Sequence, residues 1–476
     1  MNTVFDIPGD LDTPVSAFMK LAAFAPRFLL ESVEGGERLA RYSFIGFGEG
    51  LEVRLDHDGL HVGVDKIAGS DFGRRVAPGP EGRGPGGAEQ LLAALRAALG
   101  RAPKPSPQIA GVPLAGGLVG YAAYDVVRFF EKLPLPRGRE SGFPALHYVA
   151  PRSLLVFDHL TRGIALLHDG SPEDRRSLRQ EVIRALRGGL PNGVRTGRYG
   201  RPEPAFSRDD YLAGVRRTQE YIAAGDVYQL VLSTRFQGRH ELDPFQAYRA
   251  LRLINPSPYM YYCALGDVTV VGSSPEALVR LKDGHAQLRP IAGTRPRAAD
   301  PEVDMAREAE LRADPKENAE HVMLVDLARN DLGRVALAGS IGVEPYRSIE
   351  RYSHVMHMVS GVSGRLAPGR DAFDLFAATF PAGTLVGAPK VRAMQIIDEL
   401  EPVSRGLYGG TVGYFGARGD MDHAITIRTL VFRGDEYSYQ AGAGIVADSV
   451  PATEHDEVLA KSGAMARALE LAEEGL

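Results

Sequence analysis

The sequence predicts an α+β fold in which helices cover large antiparallel β-sheets. Short strand-like segments follow one another across tight turns, without the intervening helices that parallel strands require. Long segments with helical periodicity flank these hairpins. Together the two patterns favour antiparallel pairing and place the helices on the outer faces of the sheets.

Three hairpins support this prediction. In 51–64 (LEVRLDHDGLHVGV) two alternating segments flank Asp58-Gly59, a pair that is typical of tight hairpin turns. Segments 153–168 and 277–292 repeat the pattern around turn residues of their own. Each hairpin is too short to bury a core alone, so the strands must join larger sheets.

A helix followed by strands opens the second part of the chain. Ser207 and Asp210 form a capping-box-like start, apolar residues recur on one face of the following segment, and Gly225 ends it. Strand-like segments at 227–235 and 259–266 come next. The same mixture of helices and strands therefore continues to the end of the chain.

Stretches rich in glycine and proline mark the loops. Residues 77–88, 101–108 and 188–205 have this composition. The last stretch is the best boundary, because it separates an N-terminal region, 1–187, from a C-terminal region, 206–476.

The composition is that of an ordinary globular protein. The chain has 476 residues, of which 44% are hydrophobic and 24% are charged. A formal net charge of −5 gives no electrostatic reason to expect nucleic acid or an anionic membrane as a partner. No apolar run approaches the roughly 20 residues that span a bilayer, and the first residues lack a signal-peptide pattern. We therefore expect a cytoplasmic protein.

The chain has one cysteine, Cys263, so it forms neither an intrachain disulfide nor a cysteine-based zinc site. Cys263 lies in a strand-like segment without the glycine turn that presents a nucleophile. A core position is the favoured interpretation.

Two pairs of glutamates stand at helical spacing. Glu317 and Glu320 form one i, i+3 pair, and Glu454 and Glu457 form the other, so each pair lies on one helix face. On their own, such acids are typical of a first helical turn, with Thr453 as the N-cap of the second helix. If the helices face each other, four carboxylates converge and require a cation. Oxygen ligands alone favour Mg²⁺.

Two glycine-containing segments allow an anion to approach the backbone. In PIAGTRPR, Gly293 permits close approach, and Arg295 and Arg297 add positive charge. A tight strand end with a small residue, Ala292, is the alternative. The run 439–446 (YQAGAGIV) can cradle a carboxylate or form a glycine bulge.

Two other motifs exclude common chemistries. The segment 383–390 (GTLVGAPK) has neither the spacing nor the Lys-Ser/Thr ending of a phosphate-binding loop. His354 and His357 have apolar neighbours, which favours buried, hydrogen-bonded histidines over a metal-binding pair.

Taken in order, the motifs resemble those of chorismate-utilising enzymes. They are PIAGTRPR, DLARNDLGR, SHVMHMVSG, GAPKVRAM, YGGTVGY, QAGAGIVADS and the two E-x-x-E helices. Within that family the chain resembles the large, synthase subunits of anthranilate synthases. The resemblance is strongest over 206–469 and is thinner through LLES (29–32) and RYSFIG (41–46). It implies two large antiparallel sheets packed face to face, to which both halves of the chain contribute.

The resemblance implies a Mg²⁺-dependent enzyme that converts chorismate to anthranilate, the first committed step of tryptophan biosynthesis. Glu320 and Glu457 would bind the metal, with Glu317 and Glu454 nearby, and Lys461 would assist at the ring carboxylate. Further residues would hold the rest of chorismate. For the enolpyruvyl carboxylate these are Arg428, Tyr408, Gly442, Ala443 and Gly444, and for the remainder they are Gly293, Thr294 and Thr384.

The resemblance also assigns the chemistry. Glu276 would protonate the departing C4 hydroxyl, which requires a raised pKa, and His357 would lie near the departing pyruvate. Isochorismate-forming relatives carry a lysine where this chain has Gln229, and aminodeoxychorismate synthases carry one where it has Ala292. The small side chain of Ala292 would leave room for ammonia and remove a competing amine.

Two partners follow from the resemblance. Ammonia would come from a separate glutaminase subunit in a heterotetramer, because Cys263 has no catalytic context. Tryptophan would inhibit by feedback at a pocket that includes Ser32, Pro258, Tyr259 and Met260, although the last two residues also suit a core. A sibling synthase would need lysine at 229 or 292, and a non-catalytic amino-acid sensor would lack the acidic residues.

Overall fold

The computed structural model describes residues 4–32, 41–68, 86–134, 142–191, 197–352 and 355–476. His354 and most of the loop predicted at 77–88 lie outside these ranges. The last residues of that predicted loop, 86–88, instead begin a helix.

Helices contribute the outer layers of the fold. In chain order the α-helices of the described residues are α1 (Pro14–Lys20), α2 (Gly86–Arg101), α3 (Pro172–Arg187), α4 (Arg208–Ala223), α5 (Pro244–Ile254), α6 (Pro301–Ala313), α7 (Pro315–Gly333), α8 (Ala372–Thr379), α9 (Lys390–Leu400) and α10 (Pro451–Glu474). Short 3₁₀ turns lie at Ala22–Phe24, Tyr124–Phe129 and Gly383–Leu385.

Most strands belong to two large antiparallel sheets. In spatial order, the first sheet contains β1 (Ile7–Pro8), β10 (Gly163–His168), β9 (Ser153–Asp158), β3 (Tyr42–Phe47), β2 (Phe28–Glu31), β13 (Tyr259–Leu265), β14 (Val268–Ser274), β25 (Thr429–Arg433), β26 (Glu436–Ile445), β12 (Gln229–Arg239) and β11 (Glu203–Pro204), with β22 (Gly387–Ala388) also paired to β12. The second contains β18 (Gly342–Val343), β21 (Val362–Arg365), β16 (His285–Leu288), β15 (Ala277–Lys282), β24 (Met421–Ile425), β23 (Thr411–Gly416), β7 (Gly117–Ala122), β8 (Leu146–Ala150), β4 (Leu51–Asp56), β5 (Gly59–Val62) and β6 (Asp65–Ala68).

A small third sheet carries part of the candidate site. It contains β17 (Ile291–Pro296), β20 (Val355–Val359) and β19 (Ser348–Arg351), again antiparallel. Strand β17 follows directly after the β15–β16 hairpin of the second sheet, so the two sheets adjoin.

Both large sheets interleave strands from the two sides of segment 188–205. In the first sheet β2 pairs with β13, and in the second β7 pairs with β23. The core therefore forms only when distant parts of the chain meet.

The two large sheets pack face to face across an apolar layer. Tyr261 and Cys263 on β13 project into it, together with Phe28 from the first sheet and Val119 and Tyr121 from the second. Side chains alternate along a strand, so the neighbours of Tyr261 point the other way. Tyr262 accordingly packs outside the sheet, with its ring 5.2 Å from that of Phe18 on α1. The fold is the α+β arrangement that the sequence predicts.

The predicted hairpins and helices are confirmed, with one local error. The turns at 58–59, 161–163 and 283–284 each join an antiparallel pair. Ser207 caps α4, and Gly225 follows its end with a positive φ of 84°. The predicted N-cap Thr453 is wrong, because α10 begins at Pro451 after Val450. Proline suits the first helical turn, since its missing N–H needs no partner there.

Among the described residues no helix is long and apolar enough to cross a membrane.

Candidate active site

Glu276 lies in the short link between β14 and β15, next to the 3₁₀ turn that carries Thr384. The hydroxyl of Thr384 donates a hydrogen bond to Oε1 of Glu276 across 3.2 Å. The Glu276 backbone is held too, since its carbonyl accepts a hydrogen bond from the N–H of Ile425. Burial among protein atoms raises the pKa of Glu276 to about 7, and the Thr384 hydrogen bond opposes that rise. A carboxyl group with this pKa retains its proton near neutral pH and can donate it.

Gln229 begins β12 and links two predicted site elements. Its Nε2 donates to Oε1 of Glu320 on α7 across 3.3 Å. On the other side, a Cβ added to Gly444 would lie 2.6 Å from the same Nε2. Gly444 therefore leaves room for the Gln229 side chain, and the glycine strand approaches the carboxylates of α7.

The first carboxylate pair lies on α7. Glu317 accepts a hydrogen bond from Arg295 across 3.0 Å. Burial raises the pKa of Glu320, and the negative charge of Glu317 raises it further. An elevated carboxyl pKa means that the local field favours positive charge, whether a proton or a cation supplies it.

The second pair lies on α10. Burial raises the pKa of Glu454, and the charge of Glu457 adds to the rise. Glu457 lies 2.6 Å from the ammonium of Lys461, which also donates to the carbonyl of Gly442 across 3.3 Å. Lys461 thus connects the α10 carboxylates to the glycine strand β26.

The two glutamate pairs lie near the same two lysines, but their carboxylates do not converge on one point. The positive charges of Lys461 and Lys316 oppose the rise in the pKa of both Glu320 and Glu454. Because the same two lysines act on a glutamate of α7 and on one of α10, the two helices lie within electrostatic range of one another. Among the described residues, only the turn residues Asp56, His57 and Asp58 bring three metal-ligating atoms within 4.8 Å of one another. The four glutamates therefore have the charge and oxygen donors that Mg²⁺ prefers, but Arg295 engages Glu317, Lys461 engages Glu457 and Gln229 engages Glu320.

His357 faces the PIAGTRPR strand. Its Nδ1 lies 2.9 Å from the hydroxyl of Thr294 and 3.3 Å from the carbonyl of Gly293. Burial lowers the pKa of His357, and the charge of Arg428 lowers it further, so the ring is neutral near pH 7. The sequence predicts a buried His357 among apolar neighbours, but the residue is partly exposed.

Gly293 is needed where it lies. It has a φ of 72° and forms the irregularity in the pairing of β17 with β20. A Cβ there would lie 3.1 Å from a carboxylate oxygen of Glu317 and 2.8 Å from Leu311. Gly293 therefore lets the strand pass close to the carboxylates of α7, as its place in the motif predicted.

The two arginines of PIAGTRPR are not free to bind an anion. Arg295 pairs with Glu310, Asp314 and Glu317 at 2.8–3.0 Å. Arg297 pairs with Asp304 at 2.9 Å. The expectation that these side chains supply charge to a ligand is wrong, because protein carboxylates already neutralise them. Their structural role is to tie β17 to α6 and α7.

Tyr408 and Arg428 lie at the other end of the site. The Tyr408 hydroxyl lies over β26, since a Cβ added to Gly442 would be 2.8 Å from it. Arg428 has a φ of 49°, a conformation that non-glycine residues rarely adopt, and its guanidinium lies 3.5 Å from the side-chain oxygen of Asn255. Ala443 is completely buried in β26 between its two glycines.

Ala292 precedes the irregular glycine on β17 and is 8% exposed. It pairs in register with Met358 of β20. A long side chain at this position must find space in a packed region beside Gly293 and His357. Position 292 is therefore sensitive to the size of its side chain. Both interpretations of PIAGTRPR, the ligand-binding segment and the tight strand end, require this.

One network at the site had no sequence signal. Beneath Tyr408, the buried pair Arg405 and Glu401 (2.7 Å apart) joins β12 to the Thr384 turn through the carbonyls of Val231 and Leu385. The network includes partners as far apart as Arg405 and Val231, which are 174 residues apart, so no local pattern reveals it.

The residues predicted for an effector line a cavity of about 340 Å³ between the two large sheets. Ser32, Pro258, Tyr259 and Met260 all contribute to it. Tyr259 donates a hydrogen bond to Asp422 of the opposite sheet across 2.9 Å, and Asp422 also pairs with Arg280 at 3.0 Å. Sequence reasoning missed this last pair.

Comparisons with known proteins show the family of this chain. A family profile described as chorismate binding enzyme matches residues 54–467. Anthranilate synthase component 1 of Thermus thermophilus is 47% identical over 471 residues, which are 98% of this chain and 97% of that protein. The chain is a chorismate-binding enzyme of the anthranilate synthase component 1 family. The family and the class of enzyme that the sequence predicts are confirmed.

Two solved structures share the fold of this chain. The crystal structure of anthranilate synthase component I from Streptococcus pneumoniae aligns with a TM-score of 0.77 at 33% identity, covering 96% of this chain and 98% of that one. The menaquinone-specific isochorismate synthase of Escherichia coli aligns with a TM-score of 0.68 at 19% identity, over 96% and 91%. The second match supports the fold alone.

Proposed function

We propose that this chorismate-binding enzyme, as the synthase component of an anthranilate synthase, forms anthranilate from chorismate with Mg²⁺ and ammonia. The observation that carries the proposal is the Glu276–Thr384 pair. A carboxyl group with a pKa of about 7, recessed next to the predicted substrate residues, is the proton donor that loss of the C4 hydroxyl requires.

Glu320 and Glu457 would bind the metal, with Glu317 and Glu454 close by. The raised pKa values of Glu320 and Glu454 support this assignment, because a cation would relieve the unfavourable burial of negative charge. When bound, Mg²⁺ neutralises the ring carboxylate and makes the ring a better electron acceptor. Lys461, already beside Glu457, would add a second positive charge on that side.

In the first half of the reaction, the substrate is held at both carboxylates while Glu276 acts on the leaving group. Arg428, Tyr408 and the N–H groups of 442–444 would hold the enolpyruvyl carboxylate. Ammonia attacks C2, and Glu276 gives its proton to the C4 oxygen, which leaves as water. Thr384 keeps the Glu276 carboxyl oriented throughout.

In the second half, pyruvate is lost and the ring becomes aromatic. His357 would act near the departing group, held by Thr294 and the Gly293 carbonyl. Its lowered pKa leaves a ring nitrogen unprotonated near neutral pH, as proton removal requires. The same contacts set which nitrogen faces the substrate.

The residues at positions 229 and 292 favour ammonia as the nucleophile, because neither supplies a base for water or a competing amine. Gln229 is an amide and cannot activate water as a base, which suits ammonia, a nucleophile that is already basic. Ala292 offers no competing amine. Cys263 is 1% exposed and burial raises the pKa of its thiol to about 12, so it cannot release ammonia from glutamine. A separate glutaminase subunit, joined in a heterotetramer, would supply the ammonia.

Tryptophan would inhibit from the cavity at Ser32. Met260 is among the residues that line it, and the Oγ of Ser32 is buried without a hydrogen-bond partner among the described residues. Pro275 and Ala277, the two neighbours of Glu276, also line this cavity. A ligand there would shift the link that carries the proton donor, which couples the two sites.

The test is an assay of the purified chain with chorismate and Mg²⁺, followed by anthranilate fluorescence. Ammonium is expected to support the reaction, whereas glutamine alone is not. Cys263→Ser is the matched control and is expected to retain the ammonium-dependent rate. Failure to form anthranilate from ammonium, or formation of anthranilate from glutamine without a partner, would contradict the proposal.

A further inference from the structure

A small cavity of about 40 Å³ lies beside Glu276. Thr384, Thr379 and Asp331 line it together with Glu276, and the rest of its wall is largely apolar. None of the residues expected to bind the metal or the carboxylates of chorismate lines it. Of the residues expected to act on or hold chorismate, only Glu276 and Thr384 line it, so the cavity joins them to Asp331.

The cavity suits water. A water molecule needs roughly 10–15 Å³ of this kind of volume and two to four polar partners. The space holds about three or four waters on that scale, and two carboxyl groups, those of Glu276 and Asp331, belong to residues that line it. Thr384, Thr379 and Arg289 are the other residues with polar side chains that line it.

Asp331 belongs to a buried ion pair that the proposed catalysis leaves unused. The ammonium of Lys390 lies 3.2 and 3.4 Å from the two carboxylate oxygens of Asp331, and it donates to the carbonyl of Thr379 at 3.3 Å. The side chains are 6% and 8% exposed. Arg334 and Glu131, themselves paired at 2.7 Å, are the next charges around Asp331.

Burial brings the two partners closer in acidity. It raises the pKa of Asp331 and lowers that of Lys390, although each partner's charge opposes the change. A proton therefore moves between them at a smaller cost than between the same groups in water. Both residues come from motifs that carry no assigned role here, Asp331 from DLARNDLGR and Lys390 from GAPKVRAM.

The proposed reaction creates a need for such a path. When the C4–O bond breaks, the oxygen takes the proton of Glu276 and leaves as water, and Glu276 remains as a carboxylate. The attacking nitrogen sheds one proton as it becomes an amine, so the step consumes no net proton. Glu276 must nevertheless regain its own proton before the next turnover.

We propose that Asp331 and Lys390 return this proton to Glu276 through water in the cavity. The inference rests on the proposed function of Glu276. Lys390 gives a proton to Asp331, Asp331 passes one to the cavity water, and the water protonates Glu276. Lys390 then regains a proton from solvent through its remaining 8% exposure. Asp331 and Lys390 touch no substrate and act only through Glu276.

A purely structural role is the alternative. Lys390 anchors the Thr379 carbonyl, and the segment after Thr379 leads to Thr384, so the ion pair also holds the turn that orients Glu276. Loss of that anchor would slow every turnover equally. Loss of a relay spares the first turnover, because Glu276 begins the reaction with its proton.

The experiment is rapid mixing of Asp331→Asn with chorismate, Mg²⁺ and saturating ammonium at about pH 6.5, where a group with a pKa of about 7 is largely protonated. One anthranilate per site is expected at the unmodified rate. A steady state slower by about 10²-fold is expected to follow, the usual scale of a lost proton transfer. Asp398→Asn is the control, because it breaks an ion pair with buried Arg128 away from the cavity; it is expected to show no burst.

The double variant Asp331→Asn with Lys390→Gln leaves no unpaired buried charge and is expected to show the same burst. An unchanged steady state, or a first turnover as slow as the later ones, overturns the relay. An ordered-water network from Thr384 to Asp331 in a high-resolution crystal structure of the unmodified protein supports it, and a dry cavity overturns it. If the unmodified protein forms no anthranilate, the proposed function fails first.

Discussion

The hydroxyl of Thr384 donates to Oε1 of Glu276 across 3.2 Å, and this contact opposes the effect of burial on the acid. Burial raises the pKa of Glu276 to about 7, whereas a hydrogen bond to the carboxylate stabilises the charged form. The two effects set the pH range in which Glu276 keeps its proton. Thr384 therefore adjusts acidity as well as orientation.

Thr384→Val is expected to move the pH dependence of turnover upward. The substitution keeps the shape of the side chain and removes the donor, so the pKa of Glu276 rises above about 7. A proton donor works while it is protonated, so the loss of kcat at high pH is expected to begin at a higher pH. The measurement is kcat against pH with free ammonia held at saturation. A high-pH limb at the unmodified position would mean that Thr384 does not tune the acid.

Glu320→Gln and Glu457→Gln are each expected to weaken Mg²⁺ binding and to lower turnover by about 10²-fold or more. A neutral amide is a poor ligand for a hard cation, and each change removes one of the negative charges that would hold Mg²⁺. Mn²⁺ titration followed by electron paramagnetic resonance measures binding without reference to activity. Glu470→Gln is the matched control for Glu457→Gln, because Glu470 also lies on α10 and pairs with Arg467 at the surface. Equal metal affinity in all three variants would mean that these glutamates are surface acids.

Ser32→Ala and Met260→Thr are expected to raise the tryptophan concentration needed for half inhibition by about fivefold, with uninhibited turnover unchanged. Each removes one contact worth about 1 kcal/mol from the cavity wall. The measurement is an inhibition curve at fixed chorismate. Ser171→Ala, at the exposed N-cap of α3, controls for loss of a serine elsewhere. Inhibition curves that coincide with that of the control would place the effector site outside this cavity.

Ala292→Lys is expected to lose most anthranilate formation and to gain a covalent adduct on residue 292 with chorismate and Mg²⁺. An amine held beside the substrate has an entropic advantage over free ammonia. It must first lose its proton, which burial at this 8% exposed position favours. Intact-protein mass spectrometry with peptide mapping detects the adduct. Ala292→Met fills the same space without an amine and is expected to give no adduct; a fully active lysine variant without adduct would make Ala292 a simple packing residue.

Local sequence was sufficient wherever one turn or one face decides the structure. Asp58-Gly59 makes a hairpin because its backbone preferences suit a two-residue turn, and Ser207 caps α4 because its hydroxyl accepts a hydrogen bond from the free N–H of Asp210. The start of α10 was misjudged because proline at position 451 suits the first helical turn as well as threonine suits a cap.

The site was predictable where a motif is short and shared by a family. Glu276, Thr384, Gln229, Glu320 and His357 were named from such motifs, and the fold brings Glu276 to Thr384 and Gln229 to Glu320. The effect of these contacts on the pKa values of Glu276 and Glu320 could not be predicted from the sequence, because a pKa depends on burial and on every nearby charge.

The sequence by itself determined the α+β class, the hairpins, the carboxylate pairs and the family. Only the tertiary structure decided which charges neutralise one another. From the sequence, Arg295 and Arg297 are expected to bind an anion. In the structure they pair with acidic residues of α6, α7 and the loop before α7. Asp331 and Lys390 lie 59 residues apart and meet only when α7 packs beside the start of α9. Electrostatic pairing acts through space over a few ångströms, and sequence separation carries no information about it.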